Sequence, residues 1–401
     1  MTAGFAELTD YMQGWFVVLH EGRAWVPFLL TPAIGAVVVW ATTKHFPGSQ
    51  GSGIPQVIAA ARLVAHRQPV TRLVSMRIAI GKVFLGVLAL FGGFSAGREG
   101  PSVQVASSLL YTAQRLLPRR LALRDADLIL AGGAAGIAAA FNTPLAGIVF
   151  AIEELSRRVE ARTSGILISS VILAGLTAIA VEGNYVYFGT IRVGTVTTSI
   201  LPALLLSALV CGVLGGIFSR LLLLPQLFEN SRFWRWRAAY PVRFAALCGL
   251  IVAFLGWATG GATFGSGYAI TSSAMAGTTT LHWAEPFAKF VATVVSYFSG
   301  IPGGIFAPCL AVGAGVGFDI AHLIGATSAH PIVALCMASF LAAVTQSPIT
   351  STIIVMEMID NQGMVMSLMA ATLIAKAISS RFGPELYHHM ALGFARQKPQ
   401  S

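Results

Sequence analysis

Charge is what this chain lacks. Only 42 of its 401 residues carry it, 26 Lys or Arg and 16 Asp or Glu; a soluble protein of this length would hold roughly a quarter, about 100. With 55 % hydrophobic residues and a mean hydropathy of +0.75, that scarcity excludes an ordinary cytosolic enzyme and a disordered chain. It also excludes a nucleic-acid binder, because the basic residues behind the net charge of +10 form no dense run. Positively charged cytoplasmic loops explain the excess better than a phosphate-binding face. Cysteine is scarce too. Cys211, Cys248, Cys309 and Cys336 stand singly in apolar runs, where a thiol acts as a small buried hydrophobe, so no disulfide framework or metal site is indicated. A cleavable leader is missing as well: Arg23 is the first basic residue, behind Glu7, Asp10 and Glu21, and the apolar run at 16–19 is too short. The chain reads as an integral membrane protein.

What it does have is apolar sequence, over 83–97, 128–152, 165–181, 193–218, 244–281 and 291–317. A spanning helix needs about 20 such residues, so there is room for roughly ten or more membrane segments. Many of the 42 Gly and 18 Pro fall inside these zones, as in Gly51-Ser52-Gly53-Ile54-Pro55 and Ile301-Pro302-Gly303-Gly304. Irregular backbone at membrane depth is tolerated only where protein buries it or a polar cavity is lined by it. Broken helices that meet near the midplane follow, and they point to transport; the alternative is that small residues simply allow close helix packing.

An internal repeat organises the chain. The first half carries Gly51-Ser52-Gly53, Gly97-Arg98-Glu99-Gly100-Pro101, Asn142-Thr143-Pro144-Leu145 and Glu153-Glu154. The second carries Gly265-Ser266-Gly267, Gly304-Ile305-Phe306-Ala307-Pro308, Gln346-Ser347-Pro348-Ile349 and Glu357-Met358. Pro101 to Pro144 is 43 residues and Pro308 to Pro348 is 40; Pro144 to Glu153 and Pro348 to Glu357 are both nine. Three stations in register are not chance. Thirteen Lys or Arg lie between Ser52 and Arg162, among them Arg62, Arg67, Arg72, Arg115, Arg119, Arg157 and Arg158, but only Lys289 lies between Phe244 and Ala375. If basic loops stay inside, equivalent stations face opposite sides of the membrane, as in an inverted-topology repeat. The division is a first membrane repeat at 1–220, a basic linker at 221–243 and a second repeat at 244–401. Phe233, Trp234 and Trp236 suit that linker to the cytoplasmic lipid interface.

Glycine-rich turns ahead of apolar helices present backbone N–H groups that attract anions. Three such starts occur, at Ser52-Gly53-Ile54, Gly97-Arg98-Glu99 and Gly304-Ile305-Phe306. If they converge, they hold an anion without full positive charge, so the anion can also leave. No Walker-type Gly…Gly-Lys-Ser/Thr sequence is present.

These three segments resemble the anion-binding signatures of the CLC chloride channel and transporter family. Asn142-Thr143-Pro144-Leu145-Ala146-Gly147 and Leu386-Tyr387 are similar to two further landmarks, so the resemblance runs from about residue 50 to residue 390. It implies an all-α integral membrane fold, a CLC-type inverted-topology repeat of tilted and broken helices, in a homodimer with one anion pathway per subunit. It implies chloride as the bound ion, no cofactor, no nucleic acid, and membrane lipid as surroundings. A bacterial-type member in the cytoplasmic (inner) membrane fits the lack of room for regulatory domains after Tyr387. An amphipathic leading helix before Trp25 is expected to be abbreviated.

By motif position, chloride would be held by the Ser52 hydroxyl, the Tyr387 hydroxyl and the Ile305 and Phe306 amides, with Gly53, Ile54 and Gly304 completing the turns. Ser52 could equally be a helix N-cap, and Tyr387 an interfacial aromatic. Glu99 aligns with Phe306 of the other repeat, so the scaffold does not require it; an ionisable group there suits a gate that fills the anion site when deprotonated. Its alternative is a plain N-terminal Glu or a partner of Arg98. Glu153 matches Glu357 and reads as structural, whereas Glu154 matches Met358. Glu154 resembles the internal proton-transfer residue of exchangers; otherwise it is a solvated partner of Arg157 or Arg158. The resulting expectation is chloride transport coupled to proton counter-transport, with a passive channel of the same fold as rival. An enzyme using Glu99 and His388-His389 lacks a nucleophile–base pair or His-Glu-x-x-His spacing. Ser52 is similar to chloride-type members, where nitrate-type ones often carry Pro, and fluoride-type members depart at the Glu99 loop and the late Tyr.

Overall fold

The structure is a computed structural model and describes residues 2–114, 123–156, 161–183, 200–276 and 283–396. Arg115, Arg119, Arg157 and Arg158, and the side chain of Arg162, lie outside the described residues. The first half contributes α1 (Thr2–His20), α2 (Val26–His45), α3 (Ile54–Ala65), α4 (Met76–Phe91), α5 (Glu99–Ala113), α6 (Asp125–Phe141), α7 (Pro144–Phe150) and α8 (Ala161–Glu182). Then follow α9 (Leu201–Leu227), α10 (Arg232–Ala239), α11 (Pro241–Ala258), α12 (Tyr268–Ala276) and α13 (Ala284–Ser299). The second half closes with α14 (Phe306–Leu323), α15 (His330–Thr345), α16 (Pro348–Met358), α17 (Val365–Ser379) and α18 (Leu386–Arg396).

Among the described residues only five stretches are long and apolar enough to cross a bilayer alone: α2, α9, α11, α14 and Gln362–Ser379. The estimate of ten or more segments therefore does not translate into ten full-length spans. Short apolar helices such as α3, α15 and α16, each with Pro in its first turn, take up the rest. The starts of α3 and α16 lie inside protein, with Pro55 and Pro348 buried, as apolar surroundings demand. Exposed Leu29, Phe84, Leu173, Trp257 and Met366 give the molecule an apolar outside suited to lipid. The basic stretch at 221–243 starts within α9, which runs on to Leu227, and ends within α11. The leading helix is not abbreviated: α1 has 19 residues, and Phe5 and Phe16 anchor it in the core.

The two halves share local geometry. α6 ends on Asn142 at φ 54° and α15 on Gln346 at φ 61°, both left-handed caps, and each is followed by a helix that opens on Pro. A left-handed non-glycine residue is uncommon, so its recurrence at one station is a shared feature of the repeat. Close packing recurs too. A Cβ on Gly132 or Gly136 of α6 would lie 2.6 Å from α5 backbone, and one on Gly313 or Gly317 of α14 would lie 2.7 or 2.6 Å from α15 backbone. For these four glycines the packing explanation holds.

The repeats also cap each other. Glu153 accepts the Ile349 and Thr350 amides at 3.2 and 2.6 Å, at the start of α16. Glu357 accepts the Leu145 and Ala146 amides at 3.1 and 2.7 Å, at the start of α7. Each carboxylate satisfies orphan donors and complements the helix dipole. This is the structural duty expected of the symmetric pair. Glu153→Gln and Glu357→Gln, which each retain one acceptor oxygen, should each cost about 1–3 kcal/mol, read as a lower thermal unfolding midpoint in detergent. Anion flux per folded molecule should be retained in both.

Candidate anion-binding site

The Gly51, Gly97 and Gly304 turns meet in the middle of the protein. Gly97 N–H donates to the Gly304 carbonyl at 2.7 Å and Gly304 N–H returns to Gly97 at 2.6 Å. Gly51 N–H donates to Ile301 at 3.0 Å, and Gly303 N–H to Gly51 at 3.0 Å. These exchanges place the first turns of α3, α5 and α14 side by side. Gly53 shows why glycine is needed: its φ is +100°, and a Cβ would lie 2.8 Å from Gln104 Cβ and 2.9 Å from the Gly100 carbonyl. A Cβ on Gly100 would meet the Ser52 hydroxyl, the Ser52 carbonyl at 2.8 Å and Gly304 Cα at 3.3 Å. All three starts are thus within a methyl group of one point.

Every residue singled out for the site is buried: Ser52, Gly53, Ile54, Glu99, Gly304, Ile305, Phe306, Tyr387 and Glu154. Ser52 does not cap α3; Gly53 holds that position without a side-chain cap. The Ser52 and Tyr387 hydroxyls interact electrostatically, yet neither has a hydrogen-bond partner within 3.5 Å among the described residues. Tyr387 is 1 % exposed, which removes the interfacial reading. Its ring packs 6.0 Å from Phe306, whose other ring neighbours are Phe141 and Phe150 at 6.2 and 6.1 Å. Two orphaned hydroxyls among orphan helix-start amides are what a bound anion would need.

Glu99 reaches across the junction, where its carboxylate interacts electrostatically with the backbone of Ala307 at the start of α14 and its Oε2 has no hydrogen-bond partner within 3.5 Å among the described residues. Arg98 does not form its ion pair with it. Arg98 Nη1 bonds Asp10 Oδ2 at 2.6 Å and the Ala6 carbonyl at 2.7 Å, tying α1 over the site. A cavity of about 390 Å³, lined by Asp10, Arg98, Glu99 and Ser266 among others, opens on this side. A second, of about 700 Å³, reaches Gly51 and Ser52 past Arg237, Tyr297 and His389.

Glu154 sits in a six-residue π-helical turn, Ala151–Ser156, that extends α7. Such turns are rare and gather at functional positions. It is 1 % exposed, bonded to the Ser347 hydroxyl, and acts electrostatically on Tyr387. Glu153 and Glu154 both end at the start of α16, one on amides and one on Ser347.

Two residues escaped the sequence reading. Lys82 of α4 is fully buried, and its Nζ donates to Ser49 and Gly51 carbonyls at 2.8 and 2.6 Å. Lys289 of α13 does the same in the other half, at 2.9 Å to Thr263 and 2.8 Å to Gly265. Each amine clamps a Gly-Ser-Gly loop and occupies carbonyl oxygens that would repel an anion. The repeat held the signal: Lys82 precedes Glu99 by 17 residues, and Lys289 precedes Phe306 by 17.

The sequence profile of the voltage gated chloride channel family matches residues 34–380. The chain belongs to the CLC family. It is an anion-transport membrane protein and not an enzyme. It is 30 % identical to the H(+)/Cl(-) exchange transporter ClcA of Yersinia pestis over 383 residues, 88 % of this chain and 75 % of that protein. ClcA of Salmonella paratyphi A is 29 % identical over 386 residues, 90 % and 78 % of the two chains. Among solved structures, a slow cyanobacterial Cl-/H+ antiporter superposes with a TM-score of 0.85 at 23 % identity, covering 100 % of this CLC chain and 95 % of that one. A CLC-type fluoride/proton antiporter gives 0.79 at 22 % identity, over 95 % and 93 %. The all-helical CLC fold is therefore established.

Gly304→Ala tests the junction. Its Cβ would lie 2.9 Å from Gly100 N and 3.1 Å from the Gly97 carbonyl, so the paired turns must separate. Anion flux in liposomes should fall sharply, whereas Gly165→Ala, whose Cβ meets nothing within 4 Å, should leave it at the wild-type level.

Proposed function

We propose that this CLC protein is a chloride/proton antiporter. The observation that carries the reading is the placement of two scaffold-independent carboxylates. Glu99 is buried against the helix start that would hold the anion, in electrostatic contact with the Ala307 backbone, and Glu154 is buried beside Ser347 and Tyr387. On this reading the Ser52 and Tyr387 hydroxyls and the Ile305 and Phe306 amides hold chloride, with Gly53, Ile54 and Gly304 shaping the turns. Deprotonated Glu99 competes for the same donors; protonated, it releases them. Glu154 passes protons to and from the other side. Chloride is favoured by Ser52 and by the exchange activity named for the ClcA relatives.

The remaining parts follow from the same reading. Residues 1–220 and 244–401 are the inverted repeats, and the basic linker faces the cytoplasm. The organisms of the ClcA relatives favour a bacterial inner membrane. Exposed Leu145, Ile152 and Ile349, beside the mutually capped helices, favour a homodimer with a pathway in each subunit.

The deciding experiment uses purified protein in liposomes given only a chloride gradient. Protons should move uphill; chloride flux without proton movement assigns the protein to the passive-channel alternative. Glu99→Gln should leave a chloride flux that ignores pH and drives no protons, because the amide can neither take a proton nor bear the competing charge. Wild-type proton pumping by that variant would remove Glu99 from the gate.

Glu154→Gln should likewise abolish proton movement while chloride continues. Normal transport of both ions by Glu154→Gln would remove it from the proton route.

A further inference from the structure

Residues 228–240 join two helices long and apolar enough to cross the bilayer, α9 and α11, and include α10. That connection puts α10 at one membrane boundary. Arg220 marks the level: it follows Leu201 by 19 residues, about 28 Å along α9, close to the ~30 Å of a hydrocarbon core. From Arg220 to Arg243 the chain has five Arg and one acidic residue, Glu229.

α10 has two faces. On one, Trp234 is buried with its ring edge-on to Phe298 at 5.0 Å, and Arg237 Nε donates to the Phe298 carbonyl at 2.7 Å. Phe233 and Trp236 pack on Phe244 of α11, at 5.6 and 5.5 Å between ring centroids. These contacts fix the helix on α11 and α13. The other face carries Arg232 and Arg235, both exposed and three residues apart, so they are neighbours on the helix surface. Neither forms an ion pair among the described residues. Phe233 and Trp236 remain 53 % and 37 % exposed, which leaves apolar ring surface beside the two guanidiniums.

Membrane orientation alone does not account for this arrangement. A basic loop keeps to its side of the membrane wherever along it the charges fall. Here two like charges are held one turn apart, where they repel, on a helix fixed by aromatic rings. Planar forks beside aromatic surface match a phosphodiester that carries acyl chains. Each guanidinium can give two parallel N–H bonds to phosphate oxygens, and aromatic rings suit the headgroup level. A free phosphate would use the forks and leave the rings idle. A zwitterionic headgroup would bring its own cation among the arginines; an acidic one would not. The surface also bears on the ion path. Phe298 stands three residues before Ile301, whose carbonyl accepts the Gly51 N–H at 3.0 Å.

We propose that the Arg232–Arg235 face of α10 docks an acidic phospholipid, and that the docked lipid steadies the Ser52 loop through Phe298 and so speeds anion transport. The docking surface rests on the membrane-embedded CLC fold alone. Its effect on transport rests on the Ser52 loop as part of the anion path, and not on proton coupling.

The test titrates the full chain in detergent with dioleoylphosphatidylglycerol or dioleoylphosphatidylcholine, bound lipid being read by native mass spectrometry. The wild type should hold the acidic lipid several-fold more tightly. Arg232→Gln with Arg235→Gln should cut that preference several-fold. Arg232→Lys with Arg235→Lys should keep part of it, because the charge remains and the forks do not. Chloride flux is then compared in liposomes of phosphatidylcholine alone and of phosphatidylcholine mixed with phosphatidylglycerol. An anionic surface lowers the chloride concentration next to it, so a general charge effect works to slow the flux. The wild type should nevertheless be several-fold faster in the mixed liposomes, and the double Gln variant no faster. An undiminished preference for the acidic lipid in the double Gln variant overturns the docking surface. A wild-type flux that phosphatidylglycerol does not raise overturns the coupling to the Ser52 loop. If the double Gln variant yields no folded protein, Arg235→Glu alone decides, and an unchanged preference there overturns the surface. A wild type that moves no chloride in either liposome overturns the transport reading and leaves the lipid affinities readable.

Discussion

The reciprocal hydrogen bonds between Gly97 and Gly304 are what the rest of the molecule depends on. They join the first turn of α5, from one repeat, to the first turn of α14, from the other. A helix that starts inside a membrane leaves unpaired N–H groups where no lipid can accept them. Such a start persists only if protein or a bound ion takes those donors. Bringing two starts together, with α3 as a third, concentrates the unmet donors at one point instead of scattering them. Only residues without a side chain allow backbones this close, which is why the three turns are glycine-rich.

The loops are then held from behind. Lys82 and Lys289 each pin two loop carbonyls, and Gln104 adds a bond to the Leu73 carbonyl at 2.8 Å and one to Gly48 at 3.0 Å. With those oxygens engaged elsewhere, donors dominate the junction. The proposed site thus attracts an anion through dipoles and hydroxyls, without a full positive charge. That matters for turnover, because a cation in direct contact would bind too well to let the ion leave.

Much of this was legible in the sequence because the repeat offers an internal control. Glu153 and Glu357 sit nine residues after Pro144 and Pro348, and the structure gives them the same duty on each other's helices. The glycine turns were legible for a similar reason: only a required close approach puts Gly-Ser-Gly and Gly-x-x-Gly-Pro into apolar sequence. Other features were hidden. Lys82 and Lys289 were counted as loop charges, since a lone lysine shows no sign of burial until its carbonyl partners are brought to it by the fold. The Arg98–Asp10 pair joins residues 88 apart, and nothing local announces it. The lengths of the segments were hidden because hydropathy measures how apolar a stretch is and cannot see where a short helix stops. The π-turn at Ala151–Ser156 was out of reach for the same reason that it matters: it changes the direction of Glu154 without changing the sequence.

The halves agree where they build and differ where they act. The left-handed caps, the Pro starts, the glycine contacts between neighbouring helices, the lysine clamps and the carboxylate caps all occur twice. Three stations break the match. Glu99 stands where the second repeat has Phe306, Glu154 stands opposite Met358, and the Ser52 loop reaches the junction while the Ser266 loop lines the Glu99-side cavity. A symmetric scaffold needs none of these differences. Two of them place a titratable group in an apolar setting that stability alone would fill with Phe or Met, at a cost. That the fold stands without a carboxylate in one half, and keeps it buried in the other, supports the proposal that the residue is present for chemistry.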